Sequence, residues 1–111
     1  MRAERRDTPR IPMALEIAFK VERQPFFPSR TRDISLDGVF IETPHAKLPK
    51  KSSVEVALKL SDNGQAKVHR FHAQVTRVTP FGAGLEFDKA DSDAYAALLS
   101  LVFATEPKGS Y

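Results

Sequence analysis

The chain has 111 residues, a formal net charge of +3 at pH 7 and no cysteine. This length suits one ordinary domain, and the lack of cysteine excludes both a disulfide framework and a thiolate metal site. No stretch approaches the roughly 20 apolar residues of a membrane-spanning helix, and the leading residues are too charged for a secretory signal. We therefore expect one soluble, cytoplasmic domain.

The leading segment, residues 1–12, is predicted to be a flexible basic arm. It holds four arginines against two acidic residues. Pro9 and Pro12 each lack a backbone N–H, and they bias the residues before them toward extended conformations. A regular helix is therefore disfavoured. The arm's positive charge suits an anionic partner, and the alternative is a simply solvated tail.

Three strands are predicted in the first half of the chain. Residues 13–22 alternate between apolar odd-numbered and mostly polar even-numbered positions, which is typical of a half-buried strand. Residues 29–35 and 38–43 flank the turn Leu36-Asp37-Gly38. Gly and Asp favour turns, so this pair of segments predicts a β-hairpin.

Three more strands are predicted at residues 53–60, 67–78 and 83–87, separated by turn residues. The alternation in the middle segment slips at Arg77, which indicates a bulge or a barrel corner. Six short strands joined by hairpin turns predict a mainly all-β fold. We expect a six-stranded antiparallel barrel with a C-terminal α-helix on its side.

Residues 91–104 change to the helical period, and Asp91 or Ser92 suits the N-cap. One apolar stripe is expected to pack on the barrel, formed by Tyr95, Leu98, Leu99, Val102 and Phe103. The predicted domain organisation is an arm over residues 1–12, a barrel with its helix over 13–104, and a frayed tail over 105–111.

Two motifs contain the candidate binding residues, and the first is Arg6-x-x-x-Arg10 in RRDTPR. Each guanidinium is a planar, permanently charged fork that matches a phosphate or the O6/N7 edge of guanine. Two such forks suit a ligand that contains both phosphates and guanines. The pattern alone is not specific, because spaced arginines also occur by chance in basic chains.

The second motif is Asp33-x-Ser35-x-x-Gly38 in DISLDG. Asp33 and Ser35 are two residues apart, so on a strand they are expected to project from one face. An ionised carboxylate only accepts hydrogen bonds, and it matches the N1 and N2 donors that distinguish guanine from adenine. Ser35 can donate to a phosphate, and Gly38 is expected to allow positive φ and close ligand approach. The alternative is ordinary turn chemistry.

In the order and spacing of these motifs, the chain resembles the PilZ family over about residues 5–104. The specific part of the resemblance is RRDTPR together with DISLDGVFIE. The resemblance implies a barrel whose arm wraps cyclic di-GMP against the barrel surface. Arg6 and Arg10 would hold guanine and phosphate groups, Asp33 and Ser35 would fix the guanine edge, and Gly38 would keep the surface open.

Arg5 adds a third guanidinium beside the first motif. Family members with arginine at this place resemble binders of a stacked pair of cyclic di-GMP molecules. A guanidinium is suited to stacking on bases. The alternative is a solvated Arg5, and the number of ligands per chain stays open at one or two.

These patterns predict a receptor or adaptor, not an enzyme, with no metal or cofactor. Cyclic di-GMP is expected to order the arm, and the signal is expected to pass in trans to an unidentified protein effector. One alternative is a nucleotide-independent interaction module on the same barrel. Single-stranded nucleic acid is a less favoured partner, because it needs exposed aromatics. The chain has no tryptophan, and most phenylalanines fall on predicted inward positions.

Overall fold

The computed structural model of the protein describes residues 10–43, 48–62 and 64–105. Within these ranges the chain forms seven strands followed by one helix. The strands are β1 (Ile11–Pro12), β2 (Glu16–Val21), β3 (Phe27–Ile34), β4 (Gly38–Glu42), β5 (Ser53–Asp62), β6 (Gln65–Thr79) and β7 (Gly82–Ala90), and the helix is α1 (Ser92–Thr105).

Strands β2 to β7 form a closed antiparallel barrel in the order β3-β2-β5-β6-β7-β4. The barrel closes because β3 pairs with β2 along one edge and with β4 along the other. Closure leaves no long unpaired strand edge, which would otherwise invite association with another chain. The predicted six-stranded barrel with a C-terminal helix is confirmed.

Strand β1 is a short seventh strand that the side-chain pattern does not predict. Ile11 and Pro12 pair with Ile34 and Asp33 near the end of β3. The strand predicted over residues 13–22 is shorter in the structure, because its regular pairing begins only at Glu16 and β2 ends at Val21. The N-terminal segment thus pairs with β3 in two separate stretches, first as β1 and then as β2.

The core fills the barrel and continues under one face of α1. Apolar side chains at alternating strand positions point inward, as the period-two pattern predicts. Burial of this apolar surface is the main force that closes the sheet on itself. The most buried members are Ile34, Val39, Ile41, Val54, Val56, Leu58, Leu60, Phe71, Ala73, Val75, Leu98 and Val102.

Of the three register shifts in the strand pairing, which include one between His72 and Ala73, two turn arginine side chains toward the outer surface of the barrel. One lies between Thr31 and Asp33 on β3, and another lies between Val75 and Arg77 on β6. A bulge inserts one extra residue and changes the direction in which the following side chains point. The second shift confirms the predicted change of phase at Arg77.

The predicted buried stripe of α1 is wrong at two of its positions. Leu98 and Val102 are buried, but Tyr95 and Phe103 are 45% and 58% exposed. The buried face is completed by small residues, Ala94 and Ala97. The predicted stripe was chosen from the large apolar side chains. The helix instead turns its alanines toward the barrel, because small side chains allow a close approach. The Asp91 carboxylate accepts a hydrogen bond from the Ala94 N–H at 2.8 Å, which confirms the predicted N-cap.

The expectation that most phenylalanines face inward is also wrong. Phe26, Phe27 and Phe81 are exposed, as is the helical Phe103. The first three lie at strand ends or in turns. Alternation decides orientation inside a strand, but it does not apply to residues where pairing starts or stops.

Candidate ligand-binding site

Arg10, the second arginine of the first motif, meets Asp33 of the second motif at the end of β3, where β1 lies beside it. The Nη1 atom of Arg10 is 3.1 Å from Oδ1 of Asp33, and the two side chains are 49% and 25% exposed. Pairing of Pro12 with Asp33 brings them together across 23 residues of sequence. An exposed ion pair contributes at most about 1 kcal/mol, so a ligand can replace it at low cost.

Thr31 fastens the N-terminal segment to β3. Its buried Oγ1 accepts a hydrogen bond from the Leu15 N–H at 2.8 Å and donates one to the Met13 carbonyl at 2.6 Å. The Met13 N–H in turn donates to the Arg32 carbonyl at 3.1 Å. These bonds hold the chain between β1 and β2, and they thereby place Arg10. The sequence signal is weak, because a threonine between two arginines resembles a surface residue.

Ser35 belongs to the turn after β3. Its hydroxyl accepts a hydrogen bond from the Asp37 N–H at 3.1 Å and lies 3.4 Å from the Gly38 carbonyl. The Ser35 side chain is only 4% exposed. The structure thus shows the turn chemistry that the sequence left open for this motif. Asp33, in contrast, keeps part of its carboxylate on the surface.

Glycine is required at position 38 for a different structural reason from the one predicted. Positive φ was expected, but among the described glycines only Gly64 has it. A Cβ atom at position 38 would lie 2.0 Å from the Leu85 carbonyl oxygen. Glycine is therefore required because β4 and β7 approach each other closely here.

A row of outward residues crosses four strands beside the Arg10–Asp33 pair. Asp33 pairs with Phe40, Phe40 pairs with Gly84, and Gly84 pairs with Arg77. Directly paired residues of antiparallel strands share a face. Gly84 has no side chain, so no side chain stands between Phe40 and Arg77 in this row.

Two further arginines cover Phe40. The guanidinium of Arg32 lies 5.1 Å from the centre of the Phe40 ring, and that of Arg77 lies 5.7 Å from it. Cation–π attraction holds both groups over the aromatic face. Arg77, where the alternation of β6 slips, also lies on this face. Arg32 was not predicted, because its orientation depends on the bulge in β3.

Taken together, the described residues place three guanidinium groups and one carboxylate on a single outer face, which we call the arginine face. Its members are Arg10, Arg32, Asp33, Phe40, Arg77 and Gly84. This composition suits an anionic ligand that also carries paired N–H donors. Arg5 and Arg6 lie outside the described residues, so their roles stay predictions.

The two histidines of β6 lie on opposite faces of that strand. His69 is buried on an inward position, whereas His72 is on the outer surface, with Nδ1 2.6 Å from Asp88 Oδ1. Among the described residues, no group of three or more His, Asp or Glu side chains is arranged to hold a metal ion. Likewise, no helix in this part of the chain is long and apolar enough to span a bilayer.

A family model described as the PilZ domain matches residues 4–104. No curated protein matches the chain. Among solved structures, the chain is similar to the Bacillus subtilis inhibitor of motility, MotI/DgrA. Their TM-score is 0.79 at 17% identity, over 94% of this chain and 52% of that one. The chain thus spans about half the length of that protein.

A second similar structure is the PilZ domain of CeSA from a cellulose-synthesizing bacterium. Its TM-score is 0.68 at 19% identity, over 89% of this chain and 99% of that domain. At these identities the two likenesses show a shared fold, and the assignment of a ligand depends on the residues of the arginine face.

Proposed function

Because the chain belongs to the PilZ domain family, we propose that it is a non-catalytic receptor for cyclic di-GMP. The observation that supports this most strongly is the contact between Arg10 and Asp33, which joins the two motifs on the outer surface of the barrel. In the proposed complex, the Asp33 carboxylate accepts hydrogen bonds from N1 and N2 of one guanine. Arg10 then leaves Asp33 and binds a phosphate.

The exchange of partners is favourable because both groups gain charge-assisted contacts. Arg10 loses its exposed contact with a carboxylate and gains a bidentate contact with a phosphate. Asp33 loses one guanidinium donor and gains two N–H donors of guanine. The partial exposure of both side chains supports this role, since neither must leave the core to reach a ligand.

The rest of the arginine face suits the second half of a doubly phosphorylated dinucleotide. Arg32 and Arg77 are two further phosphate or guanine partners next to Phe40. If Arg5 stacks on a second ligand molecule, two cyclic di-GMP molecules bind per chain, and otherwise one. In our proposal Ser35 and Gly38 act mainly by shaping the turn that holds Asp33 in place.

Ligand binding is proposed to act as a switch through the arm. Residues 10–12 already lie along β3, so the ordering we propose concerns residues 1–9. Arg6 is four residues from Arg10, and an extended chain spans at most about 3.6 Å per residue. Covalent geometry therefore keeps the Cα atoms of the two arginines within about 14 Å of each other. The ordered arm would present a new surface to a protein effector in trans.

Replacing Arg10 with alanine tests the proposed site directly. Loss of one bidentate contact costs about 1–3 kcal/mol, so we expect binding of cyclic di-GMP to weaken by roughly 5-fold to 150-fold. Arg23→Ala is the matched control, because Arg23 is also exposed but follows β2 at the opposite end of β3, roughly 20 Å from Asp33. Equal affinities of the wild type and Arg10→Ala in calorimetry would contradict the assignment.

A second candidate function, binding of single-stranded nucleic acid, is favoured by one observation. The exposed ring of Phe26 lies 5.7 Å from Lys20 Nζ and 5.1 Å from the Arg70 guanidinium. An exposed aromatic between two cations is a platform on which a base can stack. Salt-sensitive binding of an oligonucleotide that is lost in Phe26→Ala, with no binding of cyclic di-GMP, would support this function instead.

A further inference from the structure

Phe40 is buried on the outer side of the barrel. Its neighbours Val39 and Ile41 belong to the core, so alternation along β4 turns the Phe40 ring outward. The ring is nevertheless only 4% exposed, and within the described part of the chain it is not a member of the contiguous core cluster. Its burial must therefore come from groups on the outer surface.

Two glycines of β7 make room for the Phe40 ring. A Cβ atom at Gly82 would lie 2.8 Å from Cε1 of the ring, and one at Gly84 would lie 3.9 Å from its Cδ2. The ring therefore lies against the backbone of β7, at two positions that have no side chain. Contact with a paired strand holds the ring in one place on the surface.

The rest of the ring is covered by two side chains that can move. The guanidinium groups of Arg32 and Arg77 lie over the ring, 5.1 and 5.7 Å from its centre, and both residues are exposed. A cation–π contact at an exposed site is weak, whereas a phosphate binds a guanidinium through strong bidentate hydrogen bonds. An anionic ligand can therefore draw both groups away from the ring, which stays in place.

We propose that Phe40 is a stacking surface for one guanine of cyclic di-GMP, and that Arg32 and Arg77 uncover it when they bind the phosphates. This inference rests on the proposed function and adds a further contact to the same site. Asp33 pairs directly with Phe40, so their Cβ atoms are about 4.5–5.5 Å apart. A guanine whose N1 and N2 donors meet the Asp33 carboxylate therefore has its rings within reach of the Phe40 ring.

Phe40 and Asp33 would recognise different properties of the base. Every base has a π-face, so stacking on Phe40 adds affinity without selecting guanine. The Asp33 carboxylate only accepts hydrogen bonds, so it selects the base by the donors on its edge. Loss of the aromatic ring should therefore weaken the binding of guanine and adenine dinucleotides by the same factor. The alternative is that the two arginines merely keep the ring from water.

Calorimetry of a Phe40→Leu variant tests the stacking contact. Leucine keeps an apolar side chain at this position but removes the aromatic face. We expect binding of cyclic di-GMP to weaken by roughly fivefold or more, with an unchanged ratio of affinities for cyclic di-GMP and cyclic di-AMP. Phe27→Leu is the matched control, because Phe27 is 54% exposed and begins β3, about 20 Å along that strand from Asp33. Its affinity should equal that of the wild type.

NMR of the wild-type complex gives a second readout that does not depend on how a variant folds. An aromatic ring shields protons over its face, so we expect the H8 resonance of the bound guanine to move upfield and to show NOE contacts with the Phe40 ring protons. A bound guanine without these contacts, or full affinity in Phe40→Leu, would overturn the inference and leave the proposed function standing. A wild type that does not bind cyclic di-GMP would contradict the proposed function itself, and this contact with it.

Discussion

Asp33 is the residue on which ligand choice depends. Its position at a bulge in β3 turns the carboxylate outward, where it meets Arg10 from the N-terminal segment. The sequence predicts this carboxylate from its motif, and it also predicts Arg10. It does not predict Arg32 or the use of the Ser35 hydroxyl in the turn, since both depend on local backbone geometry that side-chain patterns do not encode.

An Asp33→Asn variant should lose its preference for guanine. The amide keeps the size of the side chain but has one acceptor oxygen in place of two, and it adds donors that face the N1 and N2 donors of guanine. We expect binding of cyclic di-GMP to weaken by about 1–3 kcal/mol, while weak binding of cyclic di-AMP changes little. Competition calorimetry with both dinucleotides measures this, and undiminished guanine preference would contradict the role of Asp33.

Gly38 and Gly84 form a matched pair for testing close packing. A Cβ at position 38 would lie 2.0 Å from a backbone oxygen, whereas one at position 84 would meet its nearest atom, in Arg77, at 3.5 Å. We expect Gly38→Ala to lower the free energy of unfolding by about 1–3 kcal/mol or more, and Gly84→Ala to stay within about 0.5 kcal/mol of wild type. Urea denaturation distinguishes the two, and equal stabilities would refute the close contact.

Among the elements, the strands are well predicted and their ends are not. Alternation is regular along β5 and through the middle of β6, so these strands are correctly placed from sequence alone. Strand β1 has only two residues, and no side-chain pattern can identify so short a pairing. Helix α1 is correctly located but wrongly rotated, because its buried face depends on alanines that carry little hydrophobic signal.

The junction between β1 and β2 should depend on one hydroxyl group. Thr31→Val preserves shape but leaves the Leu15 N–H and the Met13 carbonyl without their partner. We expect the free energy of unfolding to fall by about 1–3 kcal/mol. Thr31→Ser is the control, since it keeps both hydrogen bonds and loses only one methyl group, worth about 0.8 kcal/mol. A Thr31→Val protein as stable as Thr31→Ser would show that these bonds do not hold the junction.

At the scale of the whole molecule, the closed barrel separates two surfaces. The arginine face lies on the side where β1, β3 and β4 meet, and helix α1 packs against β5 and β6. Closure follows from the number and spacing of the predicted strands, and the C-terminal helix follows from the change to the helical period after them. The outward direction of Arg32 and Arg77 follows only once the bulges beside them are known, which is why the site is less predictable than the fold.

The most direct test of the central claim is a calorimetric titration of the full chain with cyclic di-GMP. We predict saturable binding, with one ligand per chain or two if Arg5 supports a stacked pair, and with much weaker binding in Arg10→Ala. A titration without heat of binding, repeated at a second temperature to exclude a vanishing enthalpy, would contradict the assignment of the arginine face as a cyclic di-GMP site.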